Sequence, residues 1–196
     1  MTNERGFDFW LVIDVEATTS DDGSLPRHEM EIIEVGAVLV DATSLEAVEE
    51  FQSFVSPMRH PKLTKFCARL TGITDAMLAG APRFPAMLGA LGERIVWPRQ
   101  GRLRFASWGD YDEKQWRQDC AFHQVPYAMP PHENWKRMFS AAQGLKKKLG
   151  MAEALALCEL PLEGTQHRGI DDARNIAKLA PWVLGTRRAS FGTCAS

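Results

Sequence analysis

The segment Phe9-Trp-Leu-Val-Ile-Asp-Val15 constrains the fold more than any other part of the chain. It is short, rich in β-formers and almost continuously apolar, the pattern of a strand buried on both faces. Such a strand needs partners along its edges and a layer above and below, which places it at the centre of an α/β sheet. Asp14 and Glu16 stand where this apolar run ends. Side chains alternate along a strand, so residues two apart project from one face, and both carboxylates point to one place.

Glu31–Val40 and Ala47–Val55 read as two further strands, with turn residues at Asp41–Ser44 between them. Three early strands with short links predict an antiparallel meander. After Pro57 the pattern becomes helical, over Lys62–Leu70, Thr74–Ala79 and Pro85–Trp97, before a fourth strand at Leu103–Trp108. Helices follow at Tyr111–His123, Asn134–Lys148, Met151–Leu160 and Asp171–Leu184, with the Pro-rich stretch Pro126–Pro131 as a loop. The expectation is one α/β domain over residues 1–185, a mixed sheet flanked by helices. Residues 186–196 have little to bury and are expected to form a flexible tail.

At 196 residues and 45% hydrophobic, the chain can build one core, and a second full domain is not expected. No apolar run approaches the roughly 20 residues of a membrane span, and the charged N-terminus lacks a secretory pattern. A soluble, cytoplasmic protein with no membrane association is expected. Cys67, Cys120, Cys158 and Cys194 lie far apart, which indicates neither a disulfide framework nor a zinc site. The net charge of −2 argues against a uniformly basic surface for duplex binding. If four carboxylates are committed to cations, however, the remainder is slightly positive, and nucleic acid can dock on local patches.

Two further acidic clusters join Asp14 and Glu16. Ser107-Trp-Gly-Asp-Tyr-Asp112 lies where the fourth strand gives way to a helix. Asp110 precedes Glu113 by three, the spacing of an N-cap with its reciprocal acid, whereas Asp112 shares a face with Trp116 and points inward. His167-Arg-Gly-Ile-Asp-Asp172 enters the last helix. There Asp172, Ile176, Leu179 and Val183 share one face, while Asp171, Asn175 and Lys178 fall on the solvent side. Clustered anions of this kind repel one another, and a divalent cation compensates them best.

Taken together, Asp14-Val-Glu-Ala-Thr18, the 107–112 cluster and the 167–172 cluster resemble, in order and spacing, the three motifs of the DnaQ-like DEDDh exonucleases. Within that family the likeness is to the Eri-type enzymes, and it runs from about Phe9 to Leu184. Leu70-Thr-Gly-Ile-Thr74 resembles the family segment near the substrate's terminal nucleotide. The resemblance implies a ribonuclease H-like fold and a metal-dependent 3′-5′ exonuclease releasing nucleoside 5′-monophosphates. Asp14, Glu16, Asp112 and Asp172 would be the carboxylates holding two Mg²⁺ or Mn²⁺ ions, with Asp110 the fallback for Asp112. His167 would be the general base, with Glu16 beside the terminal sugar. Thr18, Thr71 and Gly72 would be the substrate contacts.

Single-stranded or 3′-overhanging nucleic acid is the expected partner, with RNA favoured. Trp108, Tyr111 and Trp135 are candidate base platforms, and Lys62, Lys65 and Arg69 candidate phosphate contacts. Lys146-Lys-Lys148 is read as complementing a helix end and receives no role. The rival readings are a non-catalytic binding module of the same fold, a proofreading-type DNA exonuclease subunit, and a phosphodiesterase acting on small nucleotides.

Overall fold

The computed structural model describes residues 6–189. Five strands form one sheet in the order β3-β2-β1-β4-β5: β1 Phe9–Ala17, β2 Ile32–Asp41, β3 Ala47–Phe54, β4 Leu103–Ser107 and β5 His132–Asn134. β1, β2 and β3 are the expected antiparallel meander. β4 joins β1 in parallel and β5 joins β4 in parallel, which makes the sheet mixed.

Alternation along the central strand sorts the core into two layers. Leu11, Ile13 and Val15 pack with Met87, Leu91 and Ile95 and with Trp116. These come from α3 (Phe84–Leu91), the π-helical turn that follows it, and α4 (Tyr111–Phe122). Trp10 and Val12 face the other way, against Trp135, Phe139, Ile170 and Ile176, which belong to α5 (Trp135–Ala142) and α7 (Gly169–Lys178). Asp14 and Glu16 continue the second series and therefore lie on the α7 side of the sheet. Two short helices, α1 (Lys65–Thr71) and α2 (Asp75–Leu78), close the end of the meander, and α6 (Met151–Leu157) and α8 (Ala180–Val183) complete the α7 layer.

Several boundaries differ from the sequence expectation. β5 lies just after the Pro-rich loop, and its three polar residues carry no alternation that would reveal a strand; pairing with β4 makes it one. The helix expected to reach Lys148 stops at Ala142, with Gly144 left-handed two residues on. The helix expected over 171–184 starts at Gly169 and breaks at Leu179, where Pro181 starts α8 within its first turn. Asn175, expected on the wet face, is fully buried, and its side chain bonds the backbone of Glu163 in both directions.

In the first part of the segment expected to be flexible, Thr186 Oγ1 donates to the Pro181 carbonyl. The Gln143 side chain donates to the Trp182 and Arg187 carbonyls and accepts from the Ala189 N–H. Residues 190–196, the rest of the expected tail, and Cys194 among them, lie outside the described residues. Cys67, Cys120 and Cys158 are free thiols. No described helix is long and apolar enough to cross a membrane.

Candidate active site

Three elements deliver carboxylates to one cleft of about 260 Å³: Asp14 and Glu16 from β1, Asp112 from the first turn of α4, and Asp172 from the first turn of α7. His167 lines the same cleft from the loop before α7. Ligating atoms of Glu16, His167 and Asp172 lie within 4.8 Å of one another. Trp108, Tyr111 and Met151 supply apolar wall.

Two of the acids are fixed by backbone donors. Asp112 Oδ1 accepts from the Val15 N–H at 3.1 Å, tying the start of α4 to β1 between Asp14 and Glu16. Asp172 Oδ2 accepts from the His167 N–H at 2.8 Å. His167 itself has φ +64°, a left-handed conformation unusual for a residue with a side chain. The other oxygen, Asp172 Oδ1, is buried with no hydrogen-bond partner.

Crowding shows in the proton affinities. Burial, then the neighbouring Asp112 and Glu16 carboxylates, push Asp14 well above the usual range. Burial and Asp172 push Glu16 up to about 8. Burial raises Asp112 to about 6 against the opposing pull of the Val15 N–H, and burial raises Asp172 as well. Such a cluster disfavours its own ionised state, and a divalent cation relieves both the repulsion and the desolvation. With an unpartnered buried oxygen and an all-carboxylate and imidazole donor set, these residues fit a hard divalent ion.

Asp110 is not part of the cluster. It occupies the N-cap position of α4 without capping it, so the expected cap with Glu113 does not form. Its carboxylate instead accepts from Asn134 Nδ2 at 2.7 Å, which with local cations holds it below the usual carboxylate range. Glu113 pairs with Arg117.

The structure places the expected substrate contacts Thr18, Thr71 and Gly72 differently from one another. Thr18 is 2% exposed and its Oγ1 accepts from the Glu31 N–H at 2.9 Å. Thr71 is 1% exposed; its Oγ1 donates to the Cys67 carbonyl and accepts from the Ile73 N–H. Both side chains are buried, and the Thr71 hydroxyl proton is spent inside the fold. Gly72 is exposed and closes α1 in left-handed conformation. Thr19, Arg27 and Leu70 instead line a second hollow of about 400 Å³, which shares Val15, Glu16 and Tyr111 with the main cleft. Trp135 is wholly buried against Trp10 and is no base platform.

Glu34 was missed. It is fully buried on β2, opposite Glu16 in the ladder, and accepts from the Arg168 guanidinium, the Gly169 N–H and Gln52 Nε2. The signal was available, since a charged residue inside an otherwise apolar strand must find a partner.

The family model described as exonuclease (RNase_T) matches residues 11–180. This chain belongs to that exonuclease family. The chain is 32% identical over 183 residues to ERI1 exoribonuclease 3 of Homo sapiens, covering 88% of this chain and 52% of the relative. It is 28% identical to the 3'-5' exoribonuclease 1 of Homo sapiens, covering 91% and 53%. The chain thus spans about half the length of the curated relatives it matches. Among solved structures it is similar to the nuclease domain of 3'hExo, a DEDDh family member, bound to rAMP. That similarity has a TM-score of 0.84 and 27% identity, over 94% of this chain and 95% of that one. The five-stranded mixed sheet is accordingly the ribonuclease H-like fold of these exonucleases.

Proposed function

We propose that this chain is a 3′→5′ exonuclease that removes nucleoside 5′-monophosphates from single-stranded or 3′-overhanging nucleic acid, with RNA preferred. The observation that carries the reading is the convergence of Asp14, Glu16, Asp112 and Asp172 with His167 around one cleft, where Asp172 Oδ1 is buried without a partner. The preference for RNA is supported by relatives named exoribonucleases and a structural neighbour bound to rAMP.

The four carboxylates would hold two Mg²⁺ or Mn²⁺ ions, which when bound supply Lewis acidity towards the phosphodiester and acidify water. His167 stands at the cleft edge as the proton acceptor for the attacking water. The water oxygen bonds to phosphorus, its proton passes to the His167 imidazole, and the bond from phosphorus to the departing 3′-oxygen breaks. That oxygen gains a proton, and the released nucleotide keeps the 5′-phosphate. Trp108, Tyr111 and Met151 shield the reacting centre from bulk water. Glu16 lies on the wall between the cleft and the Leu70 hollow, where the sugar of the terminal nucleotide would rest.

The test is digestion of 5′-labelled RNA and DNA oligomers with Mg²⁺, Mn²⁺ or EDTA, beside a His167→Ala variant. The expected result is a metal-dependent ladder that shortens from the 3′ end, faster on RNA and lost in the variant. Absence of cleavage under every metal would overturn the reading in favour of a binding module.

A further inference from the structure

The run Lys146-Lys-Lys148 has no helix end to complement. α5 closes at Ala142, four residues earlier, and a macrodipole acts only within its last turn. What the run adjoins is the cleft. The carbonyl of Leu149, the next residue, accepts the indole N–H of Trp108 at 3.1 Å, and both Trp108 and Met151 are cleft wall. Ser140 Oγ donates to the Lys147 carbonyl at 3.3 Å and pins the segment from behind.

All three lysines are exposed. Lys147 faces Glu153 at 3.7 Å in a solvent-exposed pair, worth little. Among the described residues neither Lys146 nor Lys148 has an acidic group within ion-pair distance. Two cations without an acidic partner therefore lie, along the chain, just before the Leu149 carbonyl that holds Trp108 and before Met151, both of them wall residues of a cleft lined by carboxylates. The Leu70 hollow, which shares Val15, Glu16 and Tyr111 with the cleft, presents Arg27.

We propose that Lys146 and Lys148 hold the sugar-phosphate backbone of the strand as it leaves the cleft past Trp108 and Met151. The inference rests on the exonuclease reading. An exonuclease keeps one nucleotide on one side of the scissile bond and the whole remaining strand on the other. The side that carries many phosphates needs the cations, while one nucleotide fits the Leu70 hollow. Such contacts are independent of base sequence, sensitive to salt, and felt only by substrates long enough to reach them.

The experiment measures binding of a fluorescent single-stranded RNA dodecamer and of a dinucleotide by anisotropy in EDTA, so that no turnover is required. Wild type is compared with Lys146→Gln/Lys148→Gln and Lys146→Arg/Lys148→Arg, and cleavage of both substrates is then followed with Mn²⁺. The Gln pair should weaken dodecamer binding about tenfold. It should also reduce the salt slope by about 1.4, at ~0.7 per phosphate on a single strand. Dinucleotide cleavage should be unchanged, and the Arg pair should restore dodecamer binding. Equal losses on both substrates, no loss, or an Arg pair as weak as the Gln pair would each overturn the proposal. A wild type that cleaves neither substrate but binds the dodecamer through these lysines would sink the exonuclease reading and leave the surface standing.

Discussion

Arg168 grips Glu34 with two prongs, Nε to Oε2 at 3.0 Å and Nη2 to Oε1 at 3.1 Å, joining the loop that carries His167 to the second strand of the sheet. The same Glu34 oxygen that meets Nε accepts the Gly169 N–H at 3.1 Å, so one buried carboxylate fixes both the loop and the start of α7. Arg168 is 23% exposed and Glu34 wholly buried. Arg168→Ala would leave the carboxylate with only Gly169 and Gln52. Breaking a buried pair costs about 3–5 kcal/mol, and partial exposure of Arg168 places the expected loss at the low end of that range. Melting curves check it. Because Arg168 directly follows His167 in the chain, activity should fall more than the loss of folded protein explains. A variant as stable as wild type would show that the pair contributes nothing.

Gly36 and Gly169 meet back to back beside that anchor. A Cβ on Gly36 would lie 2.1 Å from the carbonyl carbon of Gly169, backbone that cannot move aside without shifting α7 off the sheet. Overpacking against flexible side chains costs about 1–3 kcal/mol, and against backbone the cost is expected to exceed this. Gly36→Ala should therefore expose α7 to rapid amide exchange and abolish activity. Retention of wild-type exchange protection in residues 169–178 would refute this account of the contact.

Asp110 and Asp112 separate cleanly in the structure, and their Asn variants should separate in activity. Asp112→Asn removes a charge from the cleft and should lower kcat/KM about 100-fold or more, the scale of deleting one charge-stabilising group. Asp110→Asn alters only a partner of Asn134 outside the cleft, a neutral exchange worth about 1 kcal/mol of stability, and turnover should stay near wild type. Equal losses in the two variants would mean that the site extends beyond the cleft described.

The sequence was legible where one local rule decided the outcome. The alternation of Asp14 and Glu16 after an apolar strand, and the inward face shared by Asp172 and Ile176, placed these residues correctly. The burial of the Thr18 and Thr71 side chains was not legible, because a hydroxyl's direction is set by its hydrogen bonds: the Glu31 N–H meets one, and the Cys67 carbonyl and Ile73 N–H meet the other. For Glu34 the need for a partner was legible in its apolar strand, but not the identity of that partner, Arg168, 134 residues away. β5 has no pattern of its own and exists through its neighbour. The lysine run was assigned to a helix end because the apolar spacing continues past Ala142 and outweighed the stop signal of Gly144.

The carboxylate cluster fixes how stability should vary with pH and metal. Burial and mutual repulsion raise Glu16 from 4.5 to about 8 and Asp112 from 3.8 to about 6. Between those limits the folded protein binds more protons than the unfolded chain, so stability falls as pH rises. Without metal, the melting temperature should decline from about pH 5 to about pH 8, opposite in sign to a carboxylate stabilised by salt bridges. Divalent cations take up the deprotonated groups and displace those protons, so their stabilisation should grow over the same window. Glu16→Gln removes a carboxylate that burial and Asp172 raise from 4.5 to about 8. If about 2 kcal/mol of strain is relieved, at 2–4 °C per kcal/mol, it should raise the metal-free melting temperature at pH 8.5 by roughly 5 °C. It should also flatten the pH slope and weaken the response to Mn²⁺. Scanning fluorimetry in EDTA and in Mn²⁺ at pH 5.5 and 8.5 decides the matter. A metal-free melting temperature that rises with pH would show that the carboxylates are already neutralised within the protein, which would remove the electrostatic case for cations in this cleft.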